Sequence, residues 1–145
     1  MAYKGRFKPR NPQKYLGNPT NIIYRSLWEA KLMKYLDDHS GVLAWSSEEI
    51  VIPYRSPMDK RIHRYYPDFY VKRNIDGKVK ETIIEVKPLV QTRPPKKLSG
   101  KRPTAKFLRE VKTYGINEAK WKAADEFCKD RGWDFKLMTE KELGV

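Results

Sequence analysis

A single cysteine, Cys128, in a chain of 145 residues excludes an internal disulfide framework, and with no second cysteine or ligand-spaced histidine near it a zinc site is not expected. No stretch approaches the roughly 20 apolar residues of a membrane-spanning helix, and no lipidation signature is present. The opening MAYKGRFKPR is basic but lacks the apolar core of a secretory signal, so a reducing, cytoplasmic setting is expected. Acids are also scarce. Eighteen aspartates and glutamates face 31 lysines and arginines, a formal net charge of +13, and a field of that sign draws a polyanion from solution. Nucleic acid therefore leads the candidate partners, ahead of an anionic membrane surface. A ribosomal-type RNA binder would be equally basic, so the position of the few acids has to separate the possibilities.

The length fits one domain with a single sizeable core. Before the first acid, Glu29, the cations Lys4, Arg6, Lys8, Arg10, Lys14 and Arg25 stand among prolines, glycines and asparagines. Residues 1–22 read as a basic N-terminal arm, either a solvated terminus or a contact to a phosphate backbone; residues 23–145 read as one domain. Trp28, Leu32, Tyr35 and Leu36 recur at helical spacing, predicting a helix over 26–39 that ends near His39 and Ser40-Gly41. Residues 42–45 and 49–53 read as short strands. Arg64 to Val71, the turn signal Asn74-Ile-Asp-Gly77 and Val79 to Val86 together read as a hairpin. Residues 88–103 hold four prolines and the cations Arg93, Lys96, Lys97, Lys101 and Arg102 with no acid, a loop that either faces DNA or is a solvated excursion. A helical stretch over 104–114 is expected to break at Gly115, and a second, capped by Asn117, to run to Arg131-Gly132. Residues 133–138 alternate as a strand, and Thr139-Glu-Lys-Glu142 has capping-box spacing. The implied class is α/β: a central mixed sheet of about four to five strands, hairpin included, flanked by helices.

Asp68 and Glu85 are 17 positions apart, yet two strands folded back on each other can set them side by side. Two carboxylates that close repel unless a cation neutralises them, and one or two carboxylates with water and phosphate oxygens are the usual shell of magnesium. Strand alternation places Lys87 on the face of Glu85, where an ammonium could orient a water and offset charge building on a phosphate. From spacing alone an ordinary cross-strand ion pair on an exposed hairpin is the favoured reading.

The order Pro67-Asp68, turn, Ile83-Ile84-Glu85-Val86-Lys87 resembles the signature of the PD-(D/E)XK nucleases, the restriction-endonuclease-like fold, and Arg25-Ser-Leu-Trp-Glu29 is similar to the first helix of their TnsA-type branch. Trp45-Ser-Ser-Glu-Glu49, Ile52 to Asp59, His63 to Val71 and Lys129-Asp-Arg-Gly-Trp133 extend the resemblance, over nearly the whole chain, to the head-completion nucleases of T-even-type tailed phages. The resemblance implies a restriction-endonuclease-like core and magnesium-dependent hydrolysis of double-stranded DNA, with manganese able to substitute. It implies metal held by Asp68, Glu85, the Val86 carbonyl and Glu29, and a catalytic group of Glu29, Asp68, Glu85 and Lys87. It further implies phage head and portal proteins as partners, and a place in the host cytoplasm during assembly or in the virion. Candidate DNA contacts are Lys4, Arg6, Lys8, Arg10, Arg25, Arg93, Lys96, Lys97, Lys101 and Arg102. The competing readings are a non-catalytic DNA-binding head protein on an inherited nuclease fold, and an RNA-binding module that makes no use of the acids. For Glu29 the plain alternative is a helix pair with Arg25; Glu48 reads as a solvated edge, and Glu49 as either edge or site. Tyr54, Tyr65, Tyr66 and Tyr70 either pack or brace nucleic acid.

Overall fold

The computed structural model describes residues 4–96, 100 and 102–144, so the expectations for Lys97 and Lys101 lie outside the described residues. In chain order the elements are β1 (Gly5–Phe7), β2 (Ile22–Tyr24), α1 (Leu27–Asp38), β3 (Val42–Ser47), β4 (Ile52–Arg55), β5 (Ile62–Tyr65), β6 (Phe69–Ile75), β7 (Lys78–Val86), α2 (Ala105–Arg131), β8 (Asp134–Met138) and α3 (Glu140–Leu143), with single 3₁₀ turns at Pro12–Lys14 and Leu89–Thr92.

The hairpin is present. β6 and β7 pair antiparallel from Phe69 opposite Ile84 to Ile75 opposite Lys78. Asp76 and Gly77 join them at φ +51° and +82°, the left-handed pair whose twist matches the flanking strands, and Asn74 Oδ1 accepts the Gly77 N–H at 3.0 Å. Around this hairpin a four-stranded mixed sheet forms in the order β3-β6-β7-β8, with β3 antiparallel to β6 and β8 parallel to β7. The parallel pair is made possible by α2, which crosses over between β7 and β8 as such a connection requires.

Each sheet face is covered. On one, Leu32, Met33 and Leu36 of α1 pack with Val42, Trp45, Phe69, Val71 and Ile84. On the other, Cys128 of α2 meets Tyr70 and Ile83, while Trp121 and Ala124 receive Ile52, Tyr54 and Tyr65 from β4 and β5, a separate two-stranded ribbon. Alternation along β7 thus sends Ile84 and Ile83 to opposite layers, as a strand buried on both faces requires.

Three elements differ from the sequence reading. The strand read over 64–71 as the first arm of the hairpin is split: Arg64 and Tyr65 belong to β5, which pairs with β4, and the hairpin arm β6 begins only at Phe69, after Pro67 interrupts the chain. α2 runs unbroken through Gly115: one interior glycine costs about 1 kcal/mol relative to alanine, which burial of Trp121, Ala124 and Cys128 outweighs. Asn117 is therefore a buried mid-helix residue, and Thr104 is the cap, its hydroxyl accepting the Phe107 N–H at 3.0 Å. The strand expected over 49–53 lies instead at 52–55, because Glu48, at φ +55°, turns the chain out of β3 first. The capping box opening α3 is formed, with Thr139 and Glu142 bonding reciprocally.

The basic N-terminal segment, over residues 4–24, runs along the domain. β1 pairs with β2, the carboxylate of buried Asp37 accepts the N–H groups of Arg10 and Asn11 at 2.7 and 3.0 Å, and Tyr15 packs edge-on to Trp45 with ring centroids 4.8 Å apart. Lys4, Arg6, Lys8 and Arg10 stay exposed.

Candidate active site

Three chain segments converge at one end of the sheet, where β3 ends, β6 begins and β7 ends. The Glu48 N–H donates to the Asp68 carbonyl at 3.2 Å, fixing the exit of β3 against the entry of β6. Pro67, which has no N–H to offer, and Asp68 precede β6 and are not laddered to β7. Freed from the ladder, Asp68 spends its groups on β7 in another way. Its N–H donates to Glu85 Oε1 at 3.2 Å, and its Oδ2 accepts the Val86 N–H at 2.8 Å.

Glu85 is 7% exposed. Its Oε1 also accepts the hydroxyl of buried Tyr65 at 2.8 Å, and its Oε2 lies 3.9 Å from Lys87 Nζ. Each carboxylate thus has one oxygen tied by a neutral donor, while among the described residues no hydrogen bond reaches Asp68 Oδ1 or Glu85 Oε2. Burial pushes the Asp68 carboxyl well above the ordinary carboxylate range, and the Glu85 charge adds to the rise. Burial also raises Glu85, against the pull of the Tyr65 hydroxyl, Lys87, the Asp68 N–H and Lys120. Two neighbouring carboxylates withdrawn from water, one buried and one part-buried, each with an oxygen left open, are hard donors that suit a hard divalent cation taking the place of the protons.

Glu29 sits in the first turn of α1, which Ser26 caps by accepting the Glu29 N–H at 3.2 Å. Its Oε1 accepts the Arg25 N–H at 3.4 Å, and its Oε2 accepts the Ser26 hydroxyl at 3.3 Å. Burial raises its pKa, and its charge in turn contributes to the rise at Asp68. The helix ion pair with Arg25 is not what forms: the Arg25 guanidinium donates from Nε and Nη2 to the two oxygens of Glu48, at 2.9 and 3.1 Å. Among the described residues no three histidine, cysteine, aspartate or glutamate side chains draw together as a metal-binding cluster, so Asp68 and Glu85 stand as a pair with Glu29 outside it.

Of the other sequence candidates, Glu49 turns to the Tyr15 hydroxyl at 3.4 Å. Arg93 and Lys96 line a groove of about 1020 Å³ between the loop after β7 and the first turns of α2. Arg102 is exposed just ahead of α2.

Three residues at the site carried no sequence signal of that role. Tyr65 was one of several strand aromatics, and only the fold of β5 over α2 brings its hydroxyl to Glu85. Glu48 looked like a solvated edge, but its left-handed backbone lets it brace Asp68 and hold Arg25 together. Lys120 comes from α2, 35 positions after Glu85, and stands 5.6 Å from the Tyr65 ring centre.

Residues 39–140 match the family model described as TnsA-like endonuclease N terminal, a span that takes in Asp68, Glu85, Val86 and Lys87 and leaves α1 with Glu29 outside. Over 145 aligned residues, 99% of this chain and 95% of the relative, the sequence is 39% identical to a protein of Enterobacteria phage T4 named head completion nuclease.

Proposed function

The chain belongs to the TnsA-like endonuclease family, and from that premise we propose that it is a magnesium-dependent DNA endonuclease acting in phage head completion, cutting or trimming double-stranded DNA so that a filled head can join its tail. The observation that carries this reading is the pairing of part-buried Asp68 with buried Glu85, each with an open oxygen, beside the ammonium of Lys87. A protein that only bound DNA would gain nothing from holding two mutually repelling carboxylates out of water.

Asp68 and Glu85 would hold the divalent cation, with the Val86 carbonyl as a further oxygen and Glu29 as an additional ligand or a group one contact removed. When bound, the cation supplies Lewis-acid polarisation of the scissile phosphate and activation of water for in-line attack. The chain's own groups do the rest. Tyr65 and the Asp68 N–H fix Glu85 through one oxygen, so the other is presented in one direction. Lys87, one residue past the end of β7 and 27% exposed at its side chain, would orient the attacking water and donate to a phosphoryl oxygen as charge develops there. Exposed Lys4, Arg6, Lys8, Arg10, Arg93, Lys96 and Arg102 contribute to the positive field that would draw a DNA backbone, and Arg25 is held by Glu48.

The working place would be the host cytoplasm during assembly, with head or portal proteins as partners; no helix among the described residues is long and apolar enough to cross a membrane. The test is cleavage of plasmid and linear DNA with magnesium, manganese, calcium or a chelator, run beside an Asp68→Asn protein. Nicking and linearisation of closed circles with magnesium or manganese, absent from the variant, are expected; products that survive the chelator or the substitution would sink the reading.

A further inference from the structure

The β4–β5 ribbon has a second face that the site does not use. In each strand alternate residues turn toward α2: Ile52 and Tyr54 are buried there, as is Tyr65. Their neighbours Pro53, Arg55, Ile62 and Arg64 face the other way, with Pro53 opposite Arg64 and Arg55 opposite Ile62. That outward face is exposed, and Ile62, at 61%, has most of its surface in solvent. The turn joining the strands adds Lys60 and Arg61, both exposed. Four cations therefore share one small ribbon with a single acid, Asp59, whose carboxylate is taken by the Arg61 N–H at 2.9 Å and by His63 at 2.7 Å.

The ribbon is also continuous with the site. β5 ends at Tyr65, the residue that fixes Glu85, and three residues later the chain reaches Asp68. Arg64 and Asp68 are four positions apart, a span of at most about 14 Å, roughly four base-pair rises of B-form DNA. A duplex with a phosphate at Asp68 and Glu85 would carry its neighbouring phosphates past Arg64.

We propose that the outward face of the β4–β5 ribbon is a docking surface for duplex DNA, gripping the phosphate backbone with Arg55, Lys60, Arg61 and Arg64 and setting which stretch of the duplex enters the site. It rests on the reading of the chain as a DNA nuclease and adds to it the track along which the substrate lies. Charge complementarity selects a polyanion over a protein partner, and four cations with no amide side chain and one acid, already bonded, among them suit contact to the backbone without sequence preference. The ribbon holds position because its other face is anchored on Trp121 and Ala124, so the cations are presented on a rigid support.

The experiment is equilibrium binding of a labelled duplex, with calcium in place of magnesium, across a series of salt concentrations for wild type and an Arg61→Ala/Arg64→Ala protein. Removing two phosphate contacts is expected to weaken binding by about 10-fold or more at low salt and to reduce the slope of log K against log salt by about 2. Arg64→Glu should weaken it further, while calcium affinity and the melting temperature stay at wild-type values. A slope equal to wild type overturns the proposal. So does a variant that binds duplex normally yet fails to support head completion, which would give the ribbon to a protein partner. Were wild type to bind duplex but cut none of it, the nuclease reading would fall while the slope still decided the ribbon.

Discussion

The backbone N–H of Asp68 donates to the carboxylate of Glu85, so the first of the two acids helps to hold the second in place. The return bond runs from the Val86 N–H, one residue beyond Glu85, to Asp68 Oδ2. Each carboxylate is therefore held by a main-chain N–H beside the other, at the entry of β6 and the end of β7.

Asp68→Asn keeps an oxygen to accept the Val86 N–H but removes one of the two buried charges. Cleavage should fall by about 1,000-fold or more, comparable to the loss of a principal electrostatic group. Without metal the variant should melt no lower than wild type, because a like-charge repulsion is gone. Added magnesium should stabilise wild type and leave the variant unmoved. Melting curves with and without metal check both statements.

The pH dependence follows from the direction of the two pKa shifts. Both carboxyls are raised in the folded state, chiefly by burial. Groups of this kind favour the fold most while protonated, and that contribution is lost as pH rises from the ordinary carboxylate range through the raised values. The metal-free protein should therefore lose stability over that interval, and Asp68→Asn should flatten the loss. Magnesium or calcium affinity should climb over the same interval with release of protons, which calorimetry in buffers of different ionisation enthalpy would register. A metal affinity independent of pH there would contradict the raised values.

Lys87→Ala should lower the turnover number by about 100- to 1,000-fold with little change in duplex affinity, since one lysine among many contributes little to the field but supplies the only ammonium set against Glu85 Oε2 in the described site. Lys87→Arg is not expected to rescue it, because the planar guanidinium places its donors differently. Single-turnover rates at saturating DNA separate the two effects.

Tyr65→Phe removes the hydroxyl from Glu85 Oε1 and leaves the Asp68 N–H as its remaining donor. A buried hydrogen bond to a charged group contributes about 1.5–3 kcal/mol, so the variant should be less stable by an amount of that order in the presence of metal. Its metal affinity should also fall, as Glu85 gains freedom to rotate. Unchanged calcium affinity in a folded variant would show that Tyr65 serves packing alone.

The exposed ion pair of Arg25 with Glu48 should be worth less than about 1 kcal/mol and weaken with salt. Arg25→Ala should therefore melt close to wild type; a large drop would show that this contact, and not the Glu48 N–H, braces the entry of β6.

Local signals carried much of the reading. The Asn-Ile-Asp-Gly turn and the β-branched runs on either side determined the hairpin, because a two-residue turn with left-handed residues admits only one register for strands of that pattern. That register sets Asp68 beside Glu85, so the acidic pair was legible as soon as the hairpin was. The capping box at Thr139 and the end of α1 at His39 were equally local. Gly115 misled because a helix is decided over its whole length: the propensity of one residue was outweighed by packing contributed from β4 and β8.

The sequence by itself determined the hairpin turn, the first helix, the positive field and the two acids with their lysine, since each depends on neighbours in the chain or on composition alone. Only the tertiary structure decided that Tyr65 and Lys120 would stand behind Glu85, that Arg25 would turn to Glu48 and not to Glu29, and that Glu29 would remain outside the acidic pair. Those outcomes depend on how β5, α2 and α1 pack against the sheet. Packing is set by the summed burial of many side chains far apart in sequence, which no local spacing records.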